Sequence, residues 1–223
     1  MRVALRSAAL RLVSERGLHG VTVEDITDAA GVSKRTFFNY FSCKEDALVG
    51  PGRELGEHIA DELARRPAHE STLDALHAVL GEIAGAAERS PERLADWAAR
   101  TQLVRTYPDV LLPRQLAAFA DLERAIVVGV TRHTSTAADP GAKSDAGAKS
   151  DASAKSGPGA KSGPGAKSGP GDAELFPAVA AAAAVAMLRV AFNRWRQRGG
   201  RTTLSVLVDQ AFDELARVIA GCR

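Results

Sequence analysis

Residues 22–45, TVEDITDAAGVSKRTFFNYFSCKE, set a glycine between two short runs that each begin on a capping residue. No other stretch of the chain restricts its own backbone so tightly. Thr22 is a favoured N-cap, and Asp25 three positions on completes a capping-box start. Val23, Ile26, Ala29 and Ala30 then fall on one helical face at three- and four-residue intervals. Gly31 ends that helix, because the left-handed residue after a helix is least strained as glycine. Val32 fills the angle, Ser33 caps the next helix, and Phe37 and Phe41, four apart, pack inward. Lys34, Arg35, Thr36, Phe38, Asn39 and Tyr40 are left near the outer surface. Ser42 and Glu45 spell a second capping box, so another helix starts within two residues. Two helices joined by a tight glycine turn have the form of a helix-turn-helix.

Three cations sit where a helix dipole disfavours them. Lys34 and Arg35 open the second helix, opposing its dipole by a few tenths up to about 1 kcal/mol each. A solvated helix start is the plain alternative. Beside a glycine turn and an aromatic ladder, contact with base edges explains them better, and Arg35 has the fork for a bidentate contact to guanine. Lys44 lies in the first turn of the following helix, where a phosphate held by that N-terminus would give it a partner.

The series Ala8, Ala9, Leu10, Leu12, Glu15, Arg16, Gly17, then VTVEDI, AAGVS, TFFNYF and KEDAL, resembles the TetR family of bacterial repressors over about the first quarter of the chain. The remainder is similar only in style. The resemblance implies a homodimer that binds a palindromic double-stranded DNA operator and is released when a small-molecule effector enters its C-terminal half. It places Ser33, Lys34, Arg35, Thr36 and Phe38 in the DNA-reading element, with Lys34, Arg35 and Thr36 at base edges. Asn39 and Tyr40 fall near bases or backbone, and Thr22 and Lys44 on phosphates. Phe38 stands where the family commonly has tyrosine, and Tyr40 where histidine is frequent. Many members carry a basic arm before the first helix, whereas Met1 here is expected inside it.

Bulk charge adds little. The chain of 223 residues carries a formal +2, but residues 141–171 alone hold five lysines and two aspartates. The rest is therefore near −1, and any attraction to DNA has to come from local placement, with Arg2, Arg6, Lys34, Arg35 and Lys44 as a candidate patch. Cys43 and Cys222 make no disulfide framework, and no histidine or cysteine cluster has metal-ligand spacing. Cys43, in the first turn of a helix, is either a chance residue or a thiol of lowered pKa. No cofactor loop, metal site or nucleophile–base set is spelled, so no catalytic residue, cofactor or enzymatic activity is expected. The most apolar run, Ala178 to Leu188, is mostly alanine and reads as too short and too weakly apolar to span a bilayer. The expectation is a cytoplasmic protein without a membrane partner.

The expected organisation is all-α: a helix-turn-helix head over residues 1–50 and a helical effector-binding and dimerisation body over 51–223. Pro51-Gly52 should break the helix that runs from Cys43 towards Arg66, either as a hinge or as a local irregularity. Further helices start at Ser71, Ser90-Pro91, Pro113, Pro177 and about Thr203. Residues 137–172, with AKSGPG recurring at Ala154, Ala160 and Ala166, lack the apolar content to order themselves and read as a disordered insert. A lysine every six residues also suggests a weak DNA contact, though an inert spacer is the simpler reading. Trp97, Phe119, Met187, Phe192 and Trp195 either line an apolar pocket or are plain core. Arg189 and Asn193 supply polar contacts there or lie elsewhere on the helix. The alanine face 180–186 permits close helix approach, suggesting a four-helix dimer interface with the last helix. The alternatives are an activator or effector-independent DNA-binding factor and, further off, an all-helical small-molecule-binding protein or enzyme.

Overall fold

A computed structural model describes residues 1–138, 172–199 and 201–221. Among them every regular element is helical. The head contains α1 (Arg2–Arg16), a short 3-10 turn (Leu18–Gly20), α2 (Val23–Ala30), α3 (Lys34–Phe38) and α4 (Lys44–Leu48). The body contains α5 (Gly52–Arg65), α6 (Thr72–Glu88), α7 (Pro91–Thr106), α8 (Pro108–Ala138), α9 (Asp172–Gln197) and α10 (Leu204–Gly221). The low-complexity insert expected over 137–172 lies outside the described residues apart from its helical edge residues Ala137, Ala138 and Asp172, and Cys222 lies outside them too.

Two apolar cores form. Leu5, Ala9, Leu10, Val13, Leu18, Val21, Ile26, Phe37 and Leu48 close the head, and Leu103 of α7 and Leu111 of α8 complete the same cluster. The head's core thus extends past residue 50. Ile59, Leu63, Leu76, Val79, Leu80, Leu122, Ile126, Val130 and the inner faces of α9 and α10 fill the body.

Several helix starts differ from expectation. Pro108, not Pro113, opens α8, since the first helical position needs no N–H. Pro113 sits inside that helix, and the buried face becomes Leu111, Ala118, Leu122, Ile126 and Val130, while Leu116 is exposed. Likewise α9 begins at Asp172, with Pro177 inside it. The expected capping box of Ser42 and Glu45 is absent: Cys43 is the N-cap of α4 without a side-chain bond, and the Ser42 amide donates to Asp46 Oδ2 at 3.2 Å. Ala29 is exposed, and Thr27 is buried instead, its hydroxyl donating to the Glu24 carbonyl.

Among the described residues one helix, α9, is long and apolar enough to cross a membrane by length and composition, with an 18-residue window of mean hydropathy 2.0 inside Leu175–Gln197. This corrects the reading from the alanine run alone, which left out Leu175, Phe176 and Phe192. Its inner face, Ala180, Ala181, Ala184, Val185, Leu188 and Ala191, is buried in the body core.

The most extensive pairing is α5 on α8. Pro51 does break the chain between α4 and α5, and the glycines beyond it let two backbones touch. A Cβ on Gly52 would lie 1.9 Å from the Ala118 carbonyl oxygen, and one on Gly56 2.6 Å from Ala125 Cβ. Gly129 faces Ala60 in the same way, at 2.6 Å from its Cα. Gly52, Gly56 and Ala60, four apart, form one smooth ridge on α5. Gly56→Ala and Gly129→Ala are each expected to lower unfolding stability by about 1–3 kcal/mol, the range for overpacking. Gly81→Ala in α6, with open space around the new methyl, should instead raise it by about 0.5–1 kcal/mol. Thermal or urea denaturation of the three variants checks the opposite signs.

Candidate nucleic-acid interface

The local chemistry of residues 22–41 builds an exposed, capped helix, α3. Thr22 caps α2 in a reciprocal capping box: the Asp25 amide donates to Thr22 Oγ1 at 3.1 Å, and the Thr22 amide donates to Asp25 Oδ2 at 2.8 Å. The hydrogen bond from the Thr22 side chain, then that from its backbone, holds the Asp25 carboxyl below its ordinary 3.8. A depressed carboxyl stabilises the fold above its unfolded pKa, so this contribution is present above pH 3.8 and is lost as pH falls through the lower folded value. Gly31 takes the left-handed conformation, φ 67°, and sends its amide back to Asp28 and Thr27 carbonyls. Ser33 then caps α3, accepting from the Thr36 amide at 3.1 Å.

Phe37 is fully buried and Phe41 nearly so, their rings 5.4 Å apart. That pins the helix by its inner side. Ser33, Lys34, Arg35, Phe38, Asn39 and Tyr40 are exposed along the outside, and Thr36 is half-buried. Phe38, an apolar ring 55% exposed, is edge-on to Phe37. An apolar side chain on such a surface can meet a thymine methyl.

The five expected cations do not form one free patch. Lys34 pairs with Glu24 of α2; both side chains are about half exposed, so the pair is worth little and is readily exchanged. Arg2 and Arg6 both turn to Glu54 of α5, joining head to body. Arg2 also lies 5.2 Å over the Tyr40 ring, and Arg6 5.4 Å over Phe41. Among the described residues, Arg35 alone of the five has neither ion pair nor hydrogen bond. Lys44 points inward: its ammonium donates to the Leu18 carbonyl at 2.8 Å and the Val21 carbonyl at 2.7 Å. Two of its three N–H groups are committed, which leaves one for any phosphate. At Cys43, burial pushes the thiol pKa up, the opposite of a sensor thiol.

The head–body junction was not legible in the sequence. Besides Glu54, Arg114 of α8 pairs with Asp46 of α4, and Ser7 donates to Asp96 of α7 at 2.9 Å. The Leu18 amide donates to the Tyr107 hydroxyl at 3.2 Å. Arg100 of α7 is pushed down to about 10 by burial, then by the neighbouring Arg6 charge. Each partner lies about fifty to ninety residues away, beyond any periodic signal. In the body, Trp97 of α7 stacks on Phe192 of α9 at 4.5 Å and meets Trp195 edge-on at 6.5 Å. Phe119 and Met187 pack in the body core, Arg189 is exposed, and Asn193 is half-buried.

Replacing Lys44 with methionine leaves two carbonyls without their donor. The unliganded protein should lose about 1–3 kcal/mol of stability, read from its denaturation midpoint; an unchanged midpoint would reduce Lys44 to a surface cation.

Residues 5–49 match the profile described as bacterial regulatory proteins, tetR family. The chain is 38% identical over 79 residues to the HTH-type transcriptional regulator TcmR of Streptomyces glaucescens, covering 34% of this chain and 35% of that protein. It is 33% identical over 99 residues to the HTH-type transcriptional regulator BetI of Rhizobium meliloti (strain 1021), covering 44% and 49%. The aligned region thus spans between a third and a half of those relatives. Over the whole length the fold is similar to Thermus thermophilus FadR, a TetR-family transcriptional repressor in complex with lauroyl-CoA: TM-score 0.50, 20% identity, 97% of this chain and 93% of that one. It is likewise similar to the regulator FadR of Bacillus subtilis in complex with stearoyl-CoA: TM-score 0.51, 16% identity, 96% of each chain. The capped two-helix element and its buried phenylalanine pair thus lie inside the segment that matches the tetR-family profile.

Proposed function

We propose that this protein is a dimeric, sequence-specific DNA-binding transcriptional regulator acting in the cytoplasm, a repressor that a small hydrophobic effector releases from a palindromic operator. The observation that carries the reading is Arg35: an unpaired guanidinium on the open side of a helix whose start is capped and whose back is locked by Phe37. Rigid support of this kind suits a bidentate contact to guanine, and such contacts discriminate between bases by about 1–3 kcal/mol. Thr36, Asn39 and Tyr40 extend the same face. Two such helices reach successive major grooves when they stand one helical turn apart, about 34–36 Å.

The dimer is supported by α9. Leu175, Phe176, Val179, Ala182, Ala186 and Val190 recur every three or four residues on its outer side, and Leu175, Phe176, Val179 and Val190 are 49–61% exposed. An apolar stripe of that length is characteristic of a buried interface. Pairing it with the same stripe of a second copy gives a two-fold interface. The effector reading is supported by the Trp97–Phe192–Trp195 cluster between α7 and α9, where a long-chain acyl thioester of the kind seen in the two FadR complexes is the first compound to try. It would have to bind one body conformation better than the other in order to release DNA.

Binding-site selection with the wild-type protein should return an inverted repeat, and Arg35→Ala should relax preference at one position of each half-site by about tenfold or more. An unchanged selected sequence would remove Arg35 from its role. Val179→Lys together with Val190→Lys should give a monomer in sedimentation and weaken operator binding. A variant that remains dimeric sends the interface elsewhere. Acyl-CoA that leaves the operator complex intact at saturating concentration would favour an effector-independent factor.

A further inference from the structure

The head carries little net positive charge for the role proposed. Residues 1–50 hold seven cationic side chains against six acidic ones. Of the seven, Arg2, Arg6, Arg11, Arg16 and Lys34 are in ion pairs, and Lys44 is bonded to two carbonyls. DNA-binding proteins owe much of their affinity to phosphate neutralisation. The densest positive charge of the described chain lies elsewhere, at Arg194, Arg196, Arg198 and Arg201, four arginines in eight residues with no acidic neighbour between them.

These arginines end α9 and form the turn into α10. Arg194, Arg198 and Arg201 are exposed, and none of the four takes part in an ion pair among the described residues. Arg196 is half-buried, with its Nε lacking a hydrogen-bond partner. Arg198, Arg201, Gln197, Gly199 and Thr202 line an open concavity of ≈ 610 Å³. A helix C-terminus accounts for one or two cations. It does not account for four left unpaired.

Their place in the fold argues for an occupant. At the opposite end of the bundle His133 of α8 meets the carbonyl of Glu70, far from the head. Near its C-terminal end α9 brings Phe192 and Trp195 against Trp97. Trp97 adjoins Asp96, which accepts from Ser7 of α1. The arginine turn therefore lies on the head side of the body. When two α9 stripes pair, as proposed above, their C-terminal ends come together between the two heads. Eight arginines then face the same side as the two reading helices.

We propose that the Arg194–Arg201 turn is a second DNA-contacting surface, which holds phosphates of the duplex segment between the half-sites without reading bases. This rests on the regulator reading. It divides the work: α3 discriminates with few charges, and the turn supplies sequence-independent attraction. Contacts to phosphate position a protein and carry no direct base information.

The test uses the full chain and the duplex that the wild-type protein selects. Affinity is measured against salt for the wild type, for R194Q/R198Q/R201Q and for R194K/R198K/R201K, with melting temperature as the fold control. Each phosphate contact contributes about 0.9 to the slope of log K on log salt. The glutamine variant should lose a slope of about 2–5 per dimer, keep its sequence preference and keep its melting temperature, while the lysine variant should keep most of the slope. An unchanged slope in the glutamine variant overturns the proposal, as does a lysine variant as weak as the glutamine one. A slope that is unchanged while inorganic polyphosphate binding is lost assigns the turn to a small anion and overturns it too. Wild-type protein that selects no duplex sinks the regulator reading itself, a result distinct from all of these.

Discussion

Backbone contact between α5 and α8 is the constraint on which the rest of the molecule depends. Gly52 begins α5 directly after Pro51 and rests on the Ala118 carbonyl, and Gly56 and Gly129 keep the two helices at the same short distance further along. Two helices that close have little freedom to roll, so the direction of α5 follows from α8 and the body core. Glu54, one turn into α5, is thereby delivered to Arg2 and Arg6 of α1. The orientation of the head on the body is set by small residues of α5 and α8.

From Glu54 the linkage continues outward. Arg2 spans the Glu54 carboxylate and the face of Tyr40, just past the end of α3. Arg6 does the same for Phe41, whose ring packs on Phe37 at the back of that helix. A pair of arginines in α1 therefore couples the first turn of the body to the last turn of the reading element. Cation–π contacts contribute about 0.5–1 kcal/mol at exposed sites, so the coupling is adjustable rather than rigid. For the regulator proposed above, such a joint would let the head adjust as it seats on a duplex.

Most of the local order around the glycine turn was legible in the sequence. The Thr22–Asp25 box, the left-handed Gly31, the Ser33 cap and the inward Phe37 and Phe41 each follow from spacing and residue type within five positions. Legibility failed where two signals competed or where partners are far apart. Pro113 and Pro177 each looked like a helix start, but both lie inside helices that begin five residues earlier. Ser42 is formally a capping residue, yet the Asp46 carboxylate bonded to its amide leaves Cys43 at the helix boundary. The inward turn of Lys44 depends on carbonyls of the 3-10 turn, and Glu54's two arginines lie about fifty residues upstream. No periodicity encodes such pairings.

The weakest-held element of the body is also the one with contacts in both directions. Leu103 is the single fully buried residue of α7, yet this helix gives Trp97 to the aromatic cluster with α9 and Asp96, Arg100 and Tyr107 to the seam with α1. Few buried apolar contacts make a helix inexpensive to displace. In the proposed regulator, a ligand that parts Trp97 from Phe192 would act on α7 before any better-packed helix. The seam would feel the shift at once, because Asp96 directly precedes Trp97 and Arg100 follows it by three positions. Two arginines already crowd each other there: the Arg6 charge disfavours the charged form of Arg100. A small movement of α7 therefore changes the balance of charge around Glu54 and, through Arg2 and Arg6, the footing of the reading helix. The sequence spacing of Asp96, Trp97 and Arg100 on one helix is enough to tie an apolar event in the body to an electrostatic one at the head.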